Sequence, residues 1–90
     1  MSDIKKISVT QDDINKLLKE AEVGVATVYD KCTMVSVKLK NGFIITESSA
    51  CVDPANYDIE TGVDICLDRI SNKLWELEGY ALQKRLYEEV

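Results

Sequence analysis

Ninety residues with eleven Lys and Arg against sixteen Asp and Glu, and no histidine, make a short acidic chain of net charge -5. At 46% hydrophobic and 30% charged the balance is that of a globular protein, one α+β domain over residues 1–90. That charge disfavours a nucleic acid polymer as partner, and the lack of imidazole removes Ser-His and Cys-His nucleophile pairs together with the commonest zinc ligand.

Cores below roughly 80 residues supply only about 3–5 kcal/mol, so a homo-oligomer is expected. Cys32, Cys51 and Cys66 lack CxxC spacing and read as reduced thiols, neither a disulfide framework nor a zinc site. The N-terminus MSDIKKISVT has no apolar leader, and Val23 to Val28 falls far short of the roughly 20 residues that span a bilayer. No membrane association and a cytoplasmic location are expected.

The first element starts at Thr10, which caps a helix with Asp13 at the third position as a capping box and Val9 stapled onto Ile14. Ile14, Leu17, Leu18 and Ala21 repeat at helical spacing, and the helix is expected to end near Glu22 or Gly24. From Val23 to Ser49 β-branched residues alternate in three runs, Val23 to Thr27, Thr33 to Leu39 and Ile44 to Ser48, which predicts a three-stranded antiparallel sheet. Asn41-Gly42 predicts a two-residue type I′ hairpin, since both residue types tolerate positive φ. That turn sets Leu39 opposite Ile44, Val37 opposite Thr46 and Val35 opposite Ser48 on a core face. The second face then carries Ser36, Lys38, Lys40 and Glu47 together with Met34, Phe43 and Ile45, a mixed surface that a helix or partner would cover.

Asp53 and Pro54 open a short turn, and Asp58 starts the main helix. Val63, Leu67, Ile70, Leu74, Leu77 and Ala81 are spaced four and three apart, with Leu82 and Leu86 as a flanking stripe, so a long C-terminal helix packs on the sheet. Asp58 to Leu86 would run about 43 Å at 1.5 Å per residue. A compact molecule of this length is only about 31 Å across, so the helix either bends at Gly79 or protrudes onto another copy.

No catalytic residue, metal or cofactor is expected. Glu60, Asp64 and Asp68 align at four-residue intervals and read as a solvated acidic face. Cys51 beside Asp53-Pro54 has no base and reads as a small buried residue at the junction of sheet and helix. Thr46, Ser48, Ser49 and Asn56 form a polar run that either binds a small ligand or satisfies its own loop backbone. Lys38 and Lys40, sharing a strand face, are either solvated or contacts for an anion. Trp75 and Tyr80 join Met34, Phe43 and Ile45 as candidate interface residues, with core packing the alternative for Trp75.

The string LKNGFIITESSACVDPANYD, followed by KLWELEGYALQKRL, resembles the small tailed-phage accessory proteins first grouped from an N-four-type coliphage and a Shigella podophage. The resemblance covers about Val35 to Leu86 and is carried by Asn41-Gly42-Phe43, Ser49-Ala50-Cys51-Val52-Asp53-Pro54, Trp75 and Leu77-Glu78-Gly79-Tyr80. It departs from the family pattern at Glu76, often proline, and at Glu47-Ser48-Ser49, often Gly-Glu-Ser. The resemblance implies a phage origin and a role outside the virion, in the host cytoplasm. The expected function is a non-catalytic accessory binding protein for host takeover or anti-defence, sequestering a nucleotide immune signal such as a cyclic dinucleotide. The alternative is a protein-protein inhibitor of a host enzyme.

Overall fold

The computed structural model describes residues 7–89; residues 1–6, on which part of the N-terminal reading bears, lie outside the described residues. The order is α1 (Gln11–Lys19), β1 (Glu22–Val28), β2 (Cys32–Lys38), β3 (Ile44–Ala50), a 3-10 turn (Pro54–Asn56) and α2 (Ile59–Glu88). The three strands pair antiparallel in the order β1-β2-β3, and α2 packs across β2 and β3.

Local chemistry sets these boundaries as expected at three starts. Thr10 Oγ1 accepts from the Asp13 amide while the Thr10 amide donates to Asp13, the reciprocal capping box. The Asp53 carboxylate accepts from the Ala55 amide with Pro54 at the first position, and Asp58 accepts from the Glu60 amide at the start of α2. The first helix stops earlier than its periodicity suggests, because β1 already begins at Glu22.

The hairpin register differs from the expected one by a residue. Gly42 N–H donates to the Leu39 carbonyl at 2.8 Å and Leu39 N–H to the Phe43 carbonyl at 2.8 Å, so three residues, not two, form the tip. Gly42 alone carries a positive φ there, at 95°, which is the pattern of a turn closed by a glycine bulge; Asn41 does not, and its side chain accepts from the Phe43 amide instead. The two consecutive positive-φ residues that a type I′ turn requires are Tyr29 and Asp30, between β1 and β2, where φ is 56° and 59°.

A slip of one residue turns every side chain of β3 over. Val35 and Val37 face Glu47 and Ile45, not Ser48 and Thr46. Ile45, expected at an interface, is therefore buried in the core, while Ile44, expected inside, is exposed. Glu47 likewise moves under the helix, where Lys73 pairs with it. Lys40 sits in the turn and does not share a strand face with Lys38.

The core joins Val35, Val37, Leu39 and Ile45 of the sheet side to Cys66, Ile70 and Leu74 of α2 and Ile14 of α1. The buried line along α2 runs Gly62, Cys66, Ile70, Leu74, strictly four apart, with Val63, Leu67 and Trp75 half-buried beside it. Gly62 lies against Thr33, so an added Cβ would fall 2.7 Å from the Thr33 Cβ and closer still to its Oγ1. With 30 residues α2 continues straight through Gly79 for about 45 Å, and it extends a molecule of 55 × 21 × 20 Å well past the sheet. Leu17, Leu74, Leu77 and Ala81 border one depression between α1 and α2.

The register makes a sharp expectation. Ile45→Asp places a carboxylate in the core and should cost about 3 kcal/mol or more, whereas Ile44→Asp, one residue away, should cost no more than about 1 kcal/mol. Urea denaturation of both variants checks it; equal losses would contradict the observed register.

Candidate functional site

A concavity with several polar groups lies where the end of β3, the 3-10 turn and the first turns of α2 meet. It is a cleft of about 350 Å³ lined by Ser49, Cys51, Asn56, Tyr57, Thr61 and Ile65, among others. Three local events build it. The Asp53 cap and Pro54 fold the chain back after β3, Asp58 turns it into α2, and Gly62 lets the helix approach β2 closely.

Tyr57 ties the cleft to the sheet. Its hydroxyl lies 2.7 Å from Thr33 Oγ1 and 2.9 Å from Thr27 Oγ1, bridging β2 and β1. Thr33 is fully buried, so this phenol supplies the partner that its hydroxyl needs away from water. Thr61 Oγ1 donates to Asp58 at 2.9 Å, so these two groups satisfy each other. Ser49 and Asn56, by contrast, have no hydrogen-bond partner for their side chains among the described residues, and both line the cleft.

Among the described residues no cation lines the cleft, but two hydrogen-bond to carbonyls of residues next to its lining segment in the chain. Arg69, one helical turn beyond Ile65, donates through Nη1 to the Ser48 carbonyl at 2.8 Å. Lys31 donates through Nζ to the Val52 carbonyl at 3.3 Å, on the other side of Cys51.

The six residues expected to bind a ligand do not form one site. Ser49 and Asn56 come together in the cleft. Thr46 and Ser48 lie on the opposite face of the sheet, where Thr46 Oγ1 is 3.1 Å from Ser36 Oγ. Lys38 ends β2 about 20 Å from Cys32 at the cleft end of the strand, and Lys40 is in the turn beyond it. Sequence reasoning passed over Tyr57, Thr61 and Arg69. The capping position of Asp58 was the available signal for the first two, and Arg69 carried none, because its partner is a backbone carbonyl.

The interface candidates also divide. Ile45 is core and Trp75 packs partly buried against the core. Met34 and Phe43 are 38% and 50% exposed, and Tyr80 is 70% exposed, each on a different part of the surface. Phe43, Ile44, Thr46, Lys73 and Leu77 border one shallow apolar depression beside β3.

All three cysteines are free; Cys66 is buried and Cys32 and Cys51 are half-buried. Cys51 Sγ lies 3.2 Å from the Asp53 carbonyl, and the junction residue buried beneath the helix is Cys66, not Cys51. Burial pushes the Cys66 thiol above its ordinary pKa, against the opposing pull of Arg69. Among the described residues no group of three or more Cys, Asp or Glu is placed to hold a metal ion, and no helix is long and apolar enough to cross a membrane.

A family model described as Phage protein (N4 Gp49/phage Sf6 gene 66) matches residues 9–86. The chain belongs to that phage protein family. The match takes in α1, the whole sheet, the cleft and α2 almost to its end. Comparison with curated proteins and comparison with solved structures each give no match.

Tyr57→Phe in this phage protein should leave the Thr33 hydroxyl buried without a partner and cost about 1–3 kcal/mol. Thr27→Val, on the exposed side of the same phenol, should cost less than about 1 kcal/mol. Thermal unfolding of the two variants measures the difference, and a Tyr57→Phe variant as stable as the parent would remove this role for the phenol.

Proposed function

We propose that this chain is a non-catalytic phage accessory protein for host takeover or anti-defence, and that its cleft sequesters a nucleotide immune signal such as a cyclic dinucleotide. The observation that carries this reading is the pair Ser49 and Asn56, whose unengaged polar groups line one cleft, with Arg69 and Lys31 held nearby in the chain on the carbonyls of Ser48 and Val52. An amide and a hydroxyl suit a base edge and ribose hydroxyls, Tyr57 and Ile65 supply apolar wall, and the two cations meet phosphate. At about 350 Å³ the cleft holds one nucleotide unit of such a ligand and leaves the remainder against the rim. Lys38 and Lys40 play no part in it, being at the far end of the sheet.

A second reading, inhibition of a host enzyme by direct docking, draws on a different observation. Phe43, Ile44 and Leu77 are 50%, 59% and 42% exposed around one depression, an apolar surface on a molecule otherwise rich in charge.

Calorimetry with a panel of cyclic di- and trinucleotides tests the first reading. At least one should bind at micromolar concentration, and Asn56→Ala or Arg69→Ala should weaken it at least about tenfold, the scale of one lost charge-assisted hydrogen bond. No heat with any member of the panel overturns it, and capture of a stoichiometric host protein released by Phe43→Ser would establish the second in its place.

A further inference from the structure

The tip of the β2–β3 hairpin sets an asparagine side chain beside a backbone nitrogen that no side chain shields. Asn41 is exposed, and at Gly42, which follows it, an added Cβ would meet nothing within 4 Å. Asn41 Oδ1 accepts from the Phe43 amide at 3.0 Å, a bond to the second residue on that folds the side chain back over the Gly42 peptide. Cγ and the Gly42 nitrogen are thereby kept as neighbours, ready to close an imide ring. The Phe43 N–H also points at the oxygen on which negative charge develops when that nitrogen attacks.

We propose that Asn41 is a modification site, at which the protein deamidates without an enzyme. The Gly42 nitrogen bonds to Asn41 Cγ, the Cγ–Nδ2 bond breaks, and Nδ2 leaves as ammonia with the proton given up by the Gly42 N–H. Water then opens the cyclic imide, its hydroxyl staying on the carbonyl carbon attacked and its proton going to the nitrogen. Attack at Cγ leaves aspartate; attack at the main-chain carbonyl carbon leaves isoaspartate. Water is the only co-reactant.

One hydrogen bond opposes the reaction, since the Gly42 N–H donates to the Leu39 carbonyl at 2.8 Å. A bond of this kind contributes at most about 1.4 kcal/mol, so opening it slows the attack no more than about tenfold. The other asparagines are worse placed. Asn15 and Asn72 lie within α1 and α2 and precede lysines, and Asn56 precedes Tyr57, so a neighbouring side chain crowds the nitrogen in each case.

The product alters the surface around it. Asn41 borders a depression with Leu17, Leu39, Phe43, Leu74 and Glu78. A new carboxylate shares that largely apolar hollow with Glu78 and takes the net charge one unit below -5. In the isoaspartyl form the main chain runs through the former side chain and is longer by one carbon. The bonds from Leu39 N–H to the Phe43 carbonyl and from Gly42 N–H to the Leu39 carbonyl then lose their register, and the tip loosens over Leu39 and Leu74. The site stands independently of the nucleotide reading, because the cleft lies at the other end of β3.

Peptide mass analysis of the folded protein during incubation at neutral pH tests the site, with the chain in concentrated urea as reference. Asn41 should convert in the folded protein at a rate within about tenfold of that in urea, giving both aspartate and isoaspartate, while Asn15, Asn56 and Asn72 stay intact. Gly42→Ala, whose methyl group crowds the attacking nitrogen, should slow the conversion severalfold in urea as well as in the folded protein, which separates the chemistry from any effect on the fold. Hydrogen exchange of the Leu39 and Gly42 amides should be faster in the separated isoaspartyl protein, while that of Val35, deep in the core, stays as in the parent. An Asn41 still intact in the folded protein after the chain in urea has converted, or an equal rate in Gly42→Ala, would overturn the site; unchanged exchange at Leu39 and Gly42 would overturn its effect on the hairpin.

Discussion

Everything in this molecule is arranged around the place where α2 meets β2 with only the Thr33 side chain between them. Gly62 touches Thr33 directly, and a helix normally kept some 8–10 Å from its neighbours by side chains is drawn down onto the sheet at its first turns. From that seat the helix buries Cys66, Ile70 and Leu74 at intervals of four, so its contact line is straight along the i, i+4 row. The buried Thr33 hydroxyl is then out of reach of water, and Tyr57 answers it from the segment that leads into the helix. One close approach thus fixes the helix, the 3-10 turn and the floor of the cleft together.

The same seat determines what is left uncovered. Anchored over β2 and β3, a helix of 30 residues overshoots the sheet at one end and leaves β1 bare on its flank. α1 meets the first shortfall, burying Ile14 completely with help from Leu17 and Leu18. The second shortfall is not met within the described residues, and it leaves a neutral strand edge on an acidic protein. The cleft and the bare flank of β1 are therefore consequences of one packing decision, joined by the Tyr57 phenol that reaches Thr27.

Much of this architecture is legible in the residues. Capping chemistry is local, so Thr10 with Asp13, Asp53 with Pro54, and Asp58 each mark a start that the structure keeps. Alternation of Val and Thr located the strands for the same reason. The register was not legible, because Asn41-Gly42 suits both a two-residue turn and a longer one in which glycine alone takes the left-handed conformation, and that single residue inverted Ile44 and Ile45. Tyr29 hides a positive-φ turn behind a bulky residue type that seldom adopts it, although Asp30 beside it is of a type that does so more readily. The contact line of α2 was displaced as well: apolar periodicity follows bulky residues, whereas Gly62 and Cys66 are small and make contact by letting the sheet come close. For the site, Ser49 and Asn56 converged from separate segments, but Arg69 and Tyr57 work through a backbone carbonyl and a cross-strand hydroxyl that no spacing rule encodes.

The seat itself is most directly tested by a double-mutant cycle on Gly62 and Thr33, read by urea denaturation. Gly62→Ala alone should destabilise by about 1–3 kcal/mol through overpacking. Combined with Thr33→Gly, which removes the Oγ1, Cβ and Cγ2 that the new Cβ meets, the total loss should fall short of the sum of the single losses by about 1 kcal/mol or more. Losses that add within about 0.5 kcal/mol would mean that helix and strand do not touch at this point, and the account of the fold built on that contact would be wrong.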